Sequence, residues 1–112
     1  MKPLAELTEP MVAQAIAAGV NTVILPLGAT EQHGSHLPMG TDTWRAVALA
    51  ERLAERLPVL VAPVIPIGCS DEHSGFAGLL SLDAETLAAV IVDCARRMVA
   101  WGVRHLIVLS AH

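Results

Sequence analysis

The sequence predicts an α/β fold, a parallel sheet with flanking helices in three layers, on three observations. Short runs rich in Val and Ile alternate with longer stretches of helical period. The 112 residues are 54% hydrophobic and 16% charged, with one Phe, two Trp and no Tyr, so Leu, Val, Ile and Ala must build the core. That is the composition of a parallel sheet buried on both faces. The order helix, strand, loop, helix, strand, loop, helix, strand makes right-handed crossovers within one sheet.

The first helix is expected over about 10–18, where Pro10 is tolerated near the start. Strands follow at 22–27, 59–65 and 105–109, each an apolar run bounded by turn residues. Between the first two lies a helix over 42–57, on which Trp44, Val47, Leu53 and Leu57 can share one face. Between the second and third, Leu87, Val90, Ile91, Cys94 and Met98 recur at helical spacing. Asp83 stands where an N-cap belongs and Gly102 where a C′ glycine belongs. Trp44 and Trp101 read as packing residues. Ser110-Ala111-His112 comes directly after the third strand, with no helix behind it to cover that strand's outer face. The expectation is therefore that residues 1–112 form the N-terminal part of a single larger α/β domain, truncated after the third strand, or that a partner covers this region.

Composition also excludes several classes. The formal charge is −4 and Arg96-Arg97 is the one adjacent basic pair, read as a solvated helix face, so no nucleic-acid surface is expected. The N-terminus, Met1-Lys2-Pro3-Leu4-Ala5-Glu6, lacks the apolar run of a signal peptide. No uncharged stretch reaches the ~18 residues of a membrane span. Cys69 and Cys94 lack Cys-x-x-Cys spacing and read as buried free thiols, which fits a cytoplasmic protein.

The chemistry concentrates in 28–43, the loop between the first strand and the second helix. It carries Glu31, His33, His36 and Asp42. Ligands of open α/β sheets bind at the carboxyl ends of the strands. The loop 68–80, with Ser70, Asp71, Glu72 and His73, follows the second strand, and His112 follows the third. Three loops distant in sequence thus bring carboxylates and imidazoles to one rim. Such donors, without thiolates, suit divalent ions of hydrolytic sites. There is no serine elbow or P-loop to compete. The charge of two divalent ions exceeds what Glu31, Asp42 and a shared hydroxide offset, so a further carboxylate is wanted. Asp71 and Glu72 are candidates for it.

Glu31-x-His33, with Asp42 eleven residues after Glu31, resembles the signature of the creatininase (creatinine amidohydrolase) family. The frame from Pro26-Leu27-Gly28 through His36-Leu37-Pro38 to Gly40-Thr41-Asp42-Thr43 is similar as well. The segment Glu72-His73-x-Gly75-Phe76-x-Gly78, with Ser81-Leu82, resembles a second block, and Ser110-Ala111-His112 the opening of a third. Ala77 and Leu79 depart from the family pattern, in ways that bear on pocket shape.

The resemblance implies two divalent metal ions, zinc and/or manganese with iron as a further option. Glu31 and His112 would hold one ion, His33 the other, and Asp42 would bridge them. It implies a last carboxylate from just beyond His112, the source favoured over Asp71 or Glu72, and a proton donor further along still. His36 is assigned a supporting role, and Ser70 and His73 are the substrate-binding candidates. The activity implied is hydrolysis of a small amide C–N bond, in a cyclic amide like creatinine or a formamide, by a dinuclear-metal-activated water. A homo-oligomer, commonly a hexamer, comes with the family. The alternative is a catalytically silent binding or assembly module of the same fold.

Overall fold

In the computed structural model, which describes residues 3–112, the alternating pattern becomes three parallel strands and three main helices. Met1 and Lys2, the first residues of the segment read above for a signal peptide, lie outside the described residues. The chain runs α1 (Glu9–Ala17), β1 (Thr22–Leu27), α2 (Thr41–Ala54), β2 (Leu60–Val61), α3 (Ala84–Ala100) and β3 (His105–Ser110), with short 3₁₀ turns at Leu4–Glu6 and Asp71–His73. The sheet order is β2-β1-β3, so the first strand is central. Its pairing with β3 is in register from Thr22↔His105 to Leu27↔Ser110.

Successive side chains of β1 point to opposite faces and so feed two cores. Val23 and Leu25 join Leu60, Ala62, Met98 and Val103, with Val12 and Ile16 of α1 and Ile91 of α3 packed against them. Ile24 joins Ala50 and Ala54 of α2 on the other face, with Val59 and Val61. Helices on both faces of the sheet make the three layers expected from the sequence.

The second strand is shorter than the 59–65 expectation. Ala62 N–H donates to Ile24 C=O, but the next bond to β1 comes from Ile65 N–H to Pro26 C=O, one residue later than the two-residue step of a parallel ladder. Pro26 has no N–H to donate to Ala62 C=O, where the ladder would continue. Pairing resumes only as the isolated Leu27↔Ile65 bridge.

The face assigned to α2 is also corrected. Its buried residues are Asp42, Ala46, Ala50 and Ala54, four apart, while Trp44 is 63% exposed and Leu53 and Leu57 are exposed too. Alanines let the helix axis approach the strands closely, where large residues would hold it off. The stripe that docks the helix begins with Asp42, so apolar packing carries a carboxylate inward.

In α3 only Met98 is buried, and Leu87 and Ile91 are half-buried. Val90 and Cys94 instead line an open cleft of about 520 Å³ with Pro63, Val64 and Ile65. Cys94 is exposed and Cys69 partly so, against the expectation of two buried thiols. Asp83 occupies the N-cap position without a side-chain capping bond, and Gly102 follows the helix with φ +116°, as a C′ glycine does. Trp101 is partly exposed, and Arg96 and Arg97 are solvated as expected. On β3, Ile107 and Val108 are 43% and 44% exposed, so the apolar surface anticipated at this strand is present. Among the described residues no helix is long and apolar enough to cross a membrane.

Candidate metal centre

The loop after β1 folds back so that both ends of the 31–42 segment meet. A Cβ on Gly28 would collide with Thr43, so glycine lets the start of α2 sit against the end of β1. The Thr43 hydroxyl donates to Ala29 C=O at 3.1 Å, and Glu31 N–H to Met39 C=O at 3.3 Å. Glu31 and Asp42 are thereby 3% and 4% exposed, two carboxylates side by side beneath the surface. Buried carboxylates persist only with partners.

Their partners are histidines from two places. His33 Nε2 lies 3.0 Å from Asp42 Oδ1. His112, at the end of β3, sets Nδ1 at 3.0 Å from Glu31 Oε1 and 3.4 Å from Asp42 Oδ2. Asp42 therefore offers one oxygen to each imidazole. Arg45 approaches Asp42 only to 3.9 Å from solvent and neutralises little.

The remaining nitrogen of each ring is committed to the backbone. His33 Nδ1 bonds Glu31 C=O at 3.1 Å, and His112 Nε2 bonds Cys69 C=O at 3.0 Å. A carbonyl only accepts, so each of those nitrogens carries the proton. In the neutral rings the opposite nitrogen then presents a lone pair to a buried carboxylate. Two electron-rich groups at 3 Å need a cation between them, either a proton or a metal.

Protonation responds accordingly. His33 is raised above the usual 6.5, first through its bond to the Glu31 carbonyl, against a lowering from burial, with the Asp42 and Glu31 carboxylates adding to the rise. For His112 burial is the largest influence and lowers its pKa, but the Cys69 carbonyl, Asp42, Glu31 and Glu72 together raise it. Burial likewise pushes Asp42 up, and the neighbouring Glu31, His33 and His112 outweigh that, leaving it below 3.8.

Two groups of donor atoms lie close enough to share an ion, each within 4.8 Å: Glu31, His33 and Asp42, and Glu31, Glu72 and His112. The donors fit divalent cations that accept nitrogen and oxygen ligands. The free lone pairs of His33 and His112, and a Glu31 Oε2 that is buried without a hydrogen bond, are the atoms a metal would satisfy.

Glu31, His33, Asp42 and His112, all named from sequence, come together. Glu72 is 57% exposed at its side chain, yet reaches His112 Nε2 at 3.3 Å, whereas Asp71 turns outward. His36 is exposed and bonds Ser35 at 3.1 Å, apart from the cluster. Ser70 is fully buried with its hydroxyl unpartnered, so it has no open face toward a substrate as placed. His73 sits at the margin with both ring nitrogens engaged, Nδ1 to Gln32 at 2.9 Å and Nε2 toward Glu31 at 3.4 Å. Gln32 and the Cys69 carbonyl were not singled out from sequence. Gln32 does stand between two named ligands, whereas a backbone carbonyl leaves no mark in a sequence.

Residues 5–112 match the family model Creatininase, described as creatinine amidohydrolase. The chain belongs to the creatininase family. It is 38% identical over 112 residues to the creatinine amidohydrolase of Pseudomonas putida, covering 96% of this chain and 43% of that protein. It is 41% identical over 101 residues to a mycofactocin precursor peptide peptidase of Mycobacterium tuberculosis (strain CDC 1551 / Oshkosh), covering 81% of this chain and 40% of the relative. A solved manganese creatininase superposes with a TM-score of 0.92 at 34% identity, covering 99% of this chain and 46% of that one. The chain thus spans less than half the length of these creatininase relatives. The solved relative supports divalent metal use in the family.

Proposed function

We propose that this chain carries the metal-binding half of a hydrolase that cleaves small amide C–N bonds. Glu31 and His112 would hold one divalent ion and His33 a second, with Asp42 contributing to both. The observation that carries this reading is the pair of imidazole nitrogens, His33 Nε2 and His112 Nδ1, each 3.0 Å from a buried carboxylate oxygen. Zinc and manganese suit this donor set, and iron is a further option.

When bound, two such ions supply an activated water and polarise an amide carbonyl. The chain's own residues do the rest. Glu31 C=O and Cys69 C=O fix the two ring orientations, so that the donor nitrogens face inward. Burial of Glu31 and Asp42 keeps the ligand carboxylates out of competition with bulk water. Substrate enters over the rim bounded by the 68–80 loop, on which His73 stands. Ser70 reaches a substrate only if that loop shifts. The proton donor for the leaving nitrogen lies outside residues 1–112. The names of the relatives support either a cyclic amide like creatinine or a peptide amide, and a formamide shares the same bond. Two free cysteines suit a reducing cytoplasm, and the protein is proposed to be a homo-oligomer, a hexamer by family resemblance.

The test is metal analysis, together with hydrolysis of creatinine, a formamide and a short peptide, on a form of the protein that also supplies that proton donor. Two ions per chain, and turnover lost on chelation and restored by zinc or manganese, are expected. Metal uptake without turnover of any amide would favour a silent binding module, and absence of metal would overturn the site.

A further inference from the structure

Glu31 is the carboxylate common to both donor groups, and its Oε2 has no hydrogen bond of good geometry although it is buried. His73 Nε2, from the 3₁₀ turn after β2, lies 3.4 Å from it. Whether that nitrogen carries a proton decides what it does. With a proton it donates toward Glu31. Without one it is a competing metal ligand, or it repels the carboxylate.

The answer follows from Gln32. Gly34 N–H donates to Gln32 Oε1 at 2.8 Å, which fixes the oxygen end of the amide. The turn that brings this N–H back has φ +71° at Gly34, a conformation open to glycine and costly for most other residues. The nitrogen end of the same amide then faces His73 Nδ1 at 2.9 Å. An amide NH₂ only donates, so Nδ1 must accept and the ring proton sits on Nε2.

We infer that Gln32 and His73 are positioning residues. Gln32 sets the His73 tautomer so that the protonated Nε2 is the nitrogen beside Glu31 Oε2, 3.4 Å away, where it attracts the carboxylate and is barred from ligating the metal. The inference rests on the metal-site reading above. It assigns His73 to Glu31 rather than to substrate. Groups that orient a ligand from behind commonly contribute 10–100-fold in metal affinity.

The test reads both halves separately. In the metal-free protein at mildly alkaline pH, ¹⁵N NMR of His73 is expected to show Nε2 protonated and Nδ1 bare. Gln32→Glu keeps an acceptor for Gly34 N–H but turns the donor into an acceptor, so it should move the proton to Nδ1 and weaken zinc affinity about 10–100-fold. His73→Gln, whose amide can offer N–H near the position of Nε2, should retain affinity, while His73→Leu should lose it. Thermal unfolding separates these effects from misfolding. A wild-type Nδ1–H tautomer, or unchanged zinc affinity in Gln32→Glu, would overturn the relay. The expected tautomer in a protein that takes up no metal would instead overturn the metal site.

Discussion

His112 Nδ1 lies 3.0 Å from Glu31 Oε1, joining the ends of the two neighbouring strands β3 and β1. The parallel register makes this contact. With Leu27 opposite Ser110, the residues that follow each strand emerge at the same edge and within reach of each other. Asp42 is brought to the same point from α2, so three segments meet at one cluster of charge.

Removing Asp42 should affect both ions, because its two oxygens face different histidines. Asp42→Asn is expected to lower bound zinc from two ions per chain to one or none, whereas His33→Ala should leave one ion. Metal content by mass spectrometry after dialysis checks the difference. A full complement of zinc in Asp42→Asn would remove the bridging role.

The titrations set a window for the metal-free protein. His33 and His112 have folded pKa values raised above 6.5, so their contribution is fully present below 6.5 and is lost as pH rises through the raised values. Asp42 is lowered below 3.8, so its contribution is present above 3.8 and is lost as pH falls through the lowered value. Among these groups, metal-free stability should therefore be greatest between about 3.8 and 6.5 and should decline on either side. Metal binding must displace the two imidazole protons, so zinc affinity should rise with pH across the region where stability declines. Denaturant titrations and zinc titrations over pH read the two trends. Parallel rather than opposing trends above 6.5 would contradict the assignment.

Close packing of α2 is expected to matter more than its large residues. Ala50 is fully buried and Leu53 is 38% exposed. Ala50→Leu should destabilise by about 1–3 kcal/mol through overpacking, and Leu53→Ala by roughly 0.5 kcal/mol or less. Because the same stripe seats Asp42, Ala50→Leu should also weaken zinc binding. Urea unfolding and a zinc titration on both variants check this.

Ser70→Ala removes a hydroxyl that is buried without a partner. Relief of an unsatisfied polar group makes the change neutral to stabilising, by up to about 1 kcal/mol. If the loop stays as it is, KM for amide substrates is also unchanged. A raised KM with unaltered stability would return Ser70 to the substrate side.

The sequence by itself determined the layer order, the central position of the chemistry between β1 and α2, and the candidate ligands Glu31, His33, Asp42 and His112. It did so because strand and helix periods are written in local apolar spacing, and because carboxylate and imidazole side chains have few uses at a strand end. Tertiary structure decided what local pattern cannot encode. The helical period of α2 permitted a face of Trp44, Val47, Leu53 and Leu57, but contact with the sheet selected Ala46, Ala50 and Ala54 because only small side chains fit that gap. Pairing between strands cut β2 short after Val61, because Pro26 of β1 lacks the N–H that would continue the ladder. The tautomers of His33, His73 and His112 were fixed by Glu31 C=O, the Gln32 amide and Cys69 C=O, partners that become neighbours only once the chain is folded.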